Sequence, residues 1–194
     1  MKNVEKLTCD FLEEYPDAAE FLDPAHPKPY GKELGITFLC DSDHGHDRAT
    51  RRSITGMVGF VGSTLVFWGS KRQGAVATST YSAEFMALRH ATEEILHLRY
   101  MMRCLGLPVT KPSALYGDNL GVIQNASNKD AEIRKKHVSI SFHFVREAIA
   151  SGALVPFWLK GKNNVSDIMT KQIGGPEFRE LVDVLFWQPK FCQS

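Results

Sequence analysis

Four carboxylates stand at the ends of segments that read as strands or helices: Asp41, Glu84, Asp118 and Asp167. Asp41 ends the apolar run LGITFLC, and Glu84 falls at the start of a long helix opening at STYSAEFMAL. Asp118 ends the short run SALYG and precedes Asn119, while Asp167 lies in NNVSDIMTK, after ALVPFWLK. Acids brought together from distant segments repel one another, and a fold tolerates that mainly when divalent cations occupy the space between them. Oxygen-only donors suit Mg²⁺ or Mn²⁺, and no His/Cys set argues for zinc. Taken singly, each acid also has an ordinary structural reading. An Asp at a strand end commonly serves a turn or cap. Glu84 could complement the helix dipole, and Asp167 could cap IMTK. Asp43 and Asp47 read as turn residues, with Asp43 the reserve candidate for the first ligand.

Elements must carry these acids to one place. The first 33 residues hold Pro16, Pro24, Pro27 and Pro29 and read as an irregular leader, either wrapping the domain or left over from a preceding segment of a longer polypeptide. The body then runs from residue 34 to 174. LGITFLC, ITGMVGFVG and TLVFWGSK read as three strands, the last two joined by a hairpin at Gly62-Ser63. Ser79 or Thr80 caps a helix with Ala83, Ala87, Ala91 and Leu98 at helical spacing, and Gly106-Leu107-Pro108 stops it. SALYG is the fourth strand, and a short helix follows Asp118. The spacing predicts a further helix over residues 137–150, with Ile140, Phe144 and Ala148 on one face and Gly152 beyond its end. ALVPFWL is the fifth strand. The tail, residues 175–194, opens with Gly175-Pro176 and a helix bearing Phe178, Leu181 and Leu185.

Three antiparallel strands followed by alternating helix and strand predict an α/β fold, a five-stranded mixed sheet flanked by helices on both faces. Such sheets bind ligands at the carboxyl ends of their parallel strands. Asp41 and Asp118 fall there, with Glu84 entering from the helix beside them.

Composition bounds the rest. A chain of 194 residues, 43% hydrophobic and 23% charged, suits one domain that buries its core without staples. Net charge is +1, so any anion-binding surface must be local. Cys9, Cys40, Cys104 and Cys192 show no CxxC spacing and read as reduced thiols of an intracellular protein. No apolar run reaches the roughly 18 residues of a membrane span. The start, MKNVEKLTCDFLEEYP, lacks an apolar signal core, so secretion is not expected.

The ordered strings CDSDHGHDRATRRSITGMVGFVGSTLVFWGSKRQ, ATSTYSAEFMAL, YGDN, KKHVSISFHFVREAIASG and VSDIMTKQI resemble the ribonuclease H (RNase H) domain of copia-type LTR retrotransposon polyproteins, over about residues 34–174. The family pattern SDADWAGD, RRSTSG, SSKKQ, STxAEY, DN, KHIDIxxHFIRE and ADxxTK is met in that order. The chain departs at Asp43-His44-Gly45-His46, where the family often has a Trp, and this touches none of the four acids. The resemblance implies an RNase H-like fold and a metal-dependent endonuclease that hydrolyses the RNA strand of RNA/DNA hybrids during reverse transcription. It carries Asp41, Glu84, Asp118 and Asp167 onto the family's catalytic, metal-binding acids. By resemblance Asp41 bridges two Mg²⁺ or Mn²⁺ ions, Asp167 helps hold the one that activates water, and Glu84 and Asp118 hold the other. Phosphodiester hydrolysis of this kind places its metals roughly 3.5–4 Å apart. The Glu comes second, on the first helix, whereas transposase and integrase sites end on a Glu. The implied partners are an RNA/DNA hybrid and a reverse transcriptase domain in cis, in the cytoplasm (virus-like particles included) or the nucleus. A different reading is a non-catalytic RNase H-like module for nucleic-acid binding or assembly, and a third is a nuclease of this fold cutting another structured substrate. Four intact acids argue against the non-catalytic module.

Short basic clusters are commonly solvated surface. Beside an acidic metal site they become candidates for phosphate contact, since a cleft that handles a polyanion needs local cations. Those candidates are Arg51-Arg52, Lys71-Arg72, Arg134-Lys135-Lys136-His137 and Lys171. Gln73 and Asn119 are candidates for sugar or base edges, and contact with the 2′-hydroxyl is what separates RNA from DNA. His137 is a further candidate for proton shuttling or the leaving phosphate, and His143 reads as packed or surface. Many cellular RNases H carry a His on the loop before the last Asp; Gly161-Lys162-Asn163-Asn164 contains none. Trp68, Trp158 and Trp187 read as core or rim residues.

Overall fold

The structure, a computed structural model, describes residues 5–6, 11, 13–128, 131 and 139–186. One mixed sheet contains β1 (Glu5–Lys6), β2 (Ile36–Asp43), β3 (Ile54–Val61), β4 (Thr64–Arg72), β5 (Ser113–Gly117) and β6 (Leu154–Trp158), in the order β1-β6-β5-β2-β3-β4. β2, β3 and β4 pair antiparallel, whereas β2, β5 and β6 run parallel. All five expected strands are present. The leader adds the sixth, which pairs antiparallel with β6 at Trp158 and Phe157. The β3–β4 hairpin closes through Gly62 in the left-handed region, at φ 61°.

Alternation along β2 divides the core. Ile36, Phe38 and Cys40 belong to the larger apolar cluster beneath the helices, and Leu39 belongs to a second cluster on the opposite face. Two helices cover the first face: α1 (Thr80–Cys104) and α3 (Ser139–Ala150), with α2 (Leu120–Ser127) beside them. Ser79 caps α1 by accepting from the Ser82 N–H at 3.2 Å. At its other end the Gly106 N–H donates to Arg103 O and the Leu107 N–H to Met102 O, with Gly106 left-handed. Ala83, Ala87 and Ala91 are fully buried, and their small side chains let α1 lie close against the sheet. The second face is covered by a 3₁₀ turn (Val165–Met169) and α4 (Gly175–Leu185), which bury Val165, Leu181 and Leu185 against Leu39, Val58 and Leu159.

One helix face differs from expectation. In α3 the buried residues are Ser141, Phe142, Val145, Arg146, Ala148 and Ile149, and Ile140 is 83% exposed. The inner stripe includes an arginine, which hydrophobicity alone assigns to solvent. Arg146 is buried because its guanidinium lies 4.0 Å over the Phe142 ring and 4.8 Å from that of Phe11, donates to the carbonyls of Asn125 and Asn128, and pairs with Glu14 at 3.0 Å. In α4 Leu181 and Leu185 are buried, while Phe178 is exposed.

Residues 13–33 run without helix or strand along the side of this body. Phe11 enters the larger core, and Tyr15 Oη lies 2.6 Å from His143 Nδ1. Glu20 accepts from Arg99 at 2.5 and 2.7 Å and from Arg103 at 2.6 Å. Glu33 accepts from the Thr110 N–H, the Thr110 hydroxyl and the Lys111 N–H. Among the described residues no helix is long and apolar enough to cross a membrane.

Candidate metal centre

Parallel pairing of β2 with β5 sets their carboxyl ends side by side, Cys40 opposite Gly117. Asp41 and Asp118 are the next residue of each strand, so register alone makes them neighbours. Glu84 arrives one turn into α1, past the first turn where a helix dipole would account for it. One ligand oxygen from each of Asp41, Glu84 and Asp118 lies within 4.8 Å of the others. Asp41 is 1% exposed, Glu84 is buried and Asp118 half-buried. The Trp158 indole N–H donates to the Asp118 carbonyl at 2.9 Å and fixes that backbone.

Asp167 joins from the 3₁₀ turn, which is capped by Asn164 rather than by Asp167. Asn164 Oδ1 accepts from the Ser166 N–H and hydroxyl, while its Nδ2 donates to Cys40 O at 3.0 Å. That one buried amide ties the turn carrying Asp167 to the strand carrying Asp41. Just beyond the turn, the Thr170 hydroxyl donates to Asp41 Oδ2. Lys171 Nζ lies 3.3 Å from Asp41 Oδ1 and 3.0 Å from Asp167 Oδ1.

Gly56, paired with Asp41 across β2–β3, makes this closure possible. A Cβ there would sit 2.6 Å from Thr170 Cγ2 and 2.8 Å from Ser166 O. Gly56→Ala is therefore expected to push the turn off the sheet, lowering stability by about 1–3 kcal/mol. Denaturant midpoints read the effect. A midpoint equal to that of the parent protein would remove the close approach as the reason for glycine. Asn164, Thr170 and Gly56 escaped the sequence reading because none carries charge.

Electrostatics show a site under strain. Burial, then Asp118 and Asp41, push the Glu84 carboxyl up to about 8, against the Ser42 hydroxyl and Lys171. Burial and then Asp41 raise Asp167 to about 6, with Lys171 opposing. Asp118 is raised by burial and by Asp41. Burial alone would lower the Lys171 ammonium, but Asp41 and Asp167 outweigh it and hold the proton on more firmly. Unfolded, Glu84 ionises near 4.5 and Asp167 near 3.8. Between those values and about 8 and about 6, the folded chain keeps protons that the unfolded chain has lost. Metal-free stability contributed by these acids thus falls as pH rises through that window. Melting in a chelator at pH 5 and pH 8 should show a fall that Glu84→Gln largely removes. Equal slopes for the two proteins would contradict it.

The donors fit a hard divalent cation. All are carboxylate oxygens, and the nearby Cys40 Sγ is pushed well up by burial and by Glu84, so it stays a thiol.

The basic candidates divide. Arg51 and Arg52 precede β3 and Lys71 and Arg72 end β4. Ile54 pairs with both Asp43 and Arg72, so these residues share the sheet edge with Asp41. Arg51, Lys71 and Arg72 are exposed, with Arg72 3.2 Å from Asp47. Asp47 closes a turn by accepting from the N–H groups of Ala49 and Thr50 and from the Thr50 hydroxyl, and its carboxyl is held at about 2. Asp43 accepts from or pairs with His46 at 2.6 Å, outside the three-acid group. Asn119 caps α2 by accepting from the Val122 N–H. Gln73 corrects the expectation of a base or sugar contact. It is 1% exposed and donates to Thr55 Oγ1 and Ala83 O, bracing β3 against α1. Arg134, Lys135, Lys136, His137 and Trp187 lie outside the described residues.

No family model matches the chain. It is 28% identical over 149 residues to a retrovirus-related Pol polyprotein from transposon RE1 of Arabidopsis thaliana, covering 77% of this chain and 10% of that protein. It is 30% identical over 155 residues to that from transposon TNT 1-94 of Nicotiana tabacum, covering 78% and 12%. The chain thus spans about a tenth of the length of these curated relatives. In structure it is similar to LC11-RNase H1 isolated from compost, with TM-score 0.55 and 13% identity, over 70% of this chain and 92% of that one. The same LC11-RNase H1 in complex with RNA/DNA hybrid gives TM-score 0.50 at 14% identity, over 66% and 88%. The homologues are Pol polyproteins of plant copia-type transposons, and the fold is RNase H-like.

Proposed function

We propose that this chain is the RNase H part of a retroelement Pol polyprotein and hydrolyses the RNA strand of RNA/DNA hybrids. The observation that carries this is the convergence of Asp41, Glu84 and Asp118 at the carboxyl ends of β2 and β5, with Asp167 attached through Lys171. The hybrid-bound RNase H neighbour supports the substrate, and the Pol polyprotein relatives support a reverse transcriptase domain in cis.

Asp41, Glu84, Asp118 and Asp167 would hold two Mg²⁺ or Mn²⁺ ions. Bound there, such ions supply an activated water and stabilise the leaving oxygen. The chain's own groups do the positioning. Thr170 orients Asp41, Asn164 fixes the Asp167 turn to β2, and Trp158 holds the Asp118 backbone. Arg51, Arg52, Lys71 and Arg72 offer cations to phosphates along the same edge. Asn119 uses its oxygen on the α2 cap, which leaves Nδ2 as the atom able to reach a sugar hydroxyl.

Labelled RNA/DNA hybrid incubated with Mg²⁺ should lose its RNA strand and keep its DNA strand, and EDTA should stop the reaction. Binding without cleavage in Mg²⁺ or Mn²⁺ would favour a non-catalytic module instead. Cleavage of another duplex in preference to the hybrid would favour a different nuclease. The ions should also raise the Tm, since they bind the native cluster and not the unfolded chain; at about a hundredfold excess over Kd the added stability is roughly 2.7 kcal/mol. A melting curve indifferent to both ions counts against the metal centre.

A further inference from the structure

The four acids do not form one uniform cage. Asp41, Glu84 and Asp118 make a compact group. Asp167 is joined to Asp41 through an ammonium, with Lys171 Nζ 3.0 Å from one carboxylate and 3.3 Å from the other. A Mg²⁺ ion shared by those two carboxylates needs oxygens at about 2.0–2.1 Å, which is the space the ammonium already fills. Two cations cannot share it, because their repulsion in a half-buried site is weakly screened. The two ends of the Lys171 environment also differ in freedom. Thr170 is buried against Gly56, whereas the Lys171 side chain is 41% exposed. A lysine stem is flexible, and its compact charge exchanges one anionic oxygen for another.

Resting on the proposed function, we infer that Lys171 holds the place of the second divalent cation in the free protein and moves to a substrate phosphate when the hybrid binds. The compact triad then loads one ion alone. The Asp41–Asp167 position loads only when a polyanion draws the ammonium away, so the complete site assembles on substrate. A lysine serving only as a surface ion pair, which contributes little, would show none of this.

The test is metal stoichiometry without catalysis. Metal-free wild-type protein, Lys171→Met and Lys171→Arg are titrated calorimetrically with Mn²⁺ in the absence of nucleic acid. Wild type and Lys171→Arg should take up one ion. Lys171→Met should take up a second, bound at least about tenfold more tightly than any second ion in wild type. With a hybrid whose RNA strand carries 2′-O-methyl groups and is not cut, wild type should also take up two. Its hybrid affinity should show a salt slope steeper by about one unit than that of Lys171→Met. Thermal melting confirms that each variant is folded. Identical Mn²⁺ isotherms for wild type and Lys171→Met overturn the inference. If wild type nevertheless cuts RNA/DNA hybrid with Mn²⁺, the proposed function stands and only the role of Lys171 falls. If wild type neither binds Mn²⁺ with hybrid present nor cuts it, both fall together.

Discussion

Asp41→Asn is expected to abolish cleavage of the RNA strand while leaving the fold intact, a loss on the order of 10³-fold or more, roughly 4 kcal/mol of barrier. Asp41 is the acid common to both halves of the site, within reach of Glu84 and Asp118 on one side and tied through Lys171 to Asp167 on the other. The amide matches the carboxylate in size and keeps an acceptor for Thr170, so β2 has no reason to move. Removing a charge from a repelling cluster should leave metal-free melting unchanged or raised. The rise in Tm with Mg²⁺ should shrink in the same protein. Cleavage by the variant within about tenfold of wild type would sink the assignment. Asp43 offers no rescue, since it faces His46.

The largest effect on stability is expected far from the site. Arg99 is 1% exposed and meets Glu20 through two nitrogens, with Lys111 O and Ser113 Oγ completing its partners. Burial alone would raise the Glu20 carboxyl, but Arg99 and Arg103 outweigh it and hold it below its usual range. That stability is present above the ordinary carboxylate pKa and is lost as pH falls through the depressed value. Glu20→Ala leaves a buried guanidinium without its counter-ion, which costs about 3–5 kcal/mol. For a domain of this size that corresponds to a fall in Tm of roughly 6–20 °C. Adding Arg99→Met should recover part of the loss, and the double-mutant cycle measures how much. A Glu20→Ala protein melting with wild type would mean that the leader is not part of the folded unit.

Most of the framework was legible because it rests on local signals. Gly62-Ser63 marked a hairpin, Ser79 a helix start and Gly106 its stop, and the body's five strands stand out as short apolar runs, near-continuous in the buried β2 and β3 and alternating in β4 and β5. What escaped depends on contacts made across the chain. Arg146 belongs to the inner face of α3 because Phe11, Glu14 and the carbonyls of Asn125 and Asn128 meet it there, and none of these lies within the helix. Gln73 looked like a polar residue next to a basic pair, and its burial is set by α1 closing over β3. At the site the four acids stood out by type and order. The neutral residues that set their geometry did not. Lys171 was legible as a cation, and its partners were not, because they come from two different elements.

The leader's attachments also set an order of events during synthesis. Glu14 pairs with Arg146, which lies 132 residues later in the chain. At about 5–20 residues per second on the ribosome, that partner follows by roughly 7–26 s. Phe11, destined for the core, has no cavity to enter until α3 exists. The leader, made before the body, is therefore among the last parts to dock, and through that interval Phe11 is open to chaperones and proteases. A body that must wait this long for its clasp gains that share of its stability after β2, α1 and β5 have already brought Asp41, Glu84 and Asp118 together.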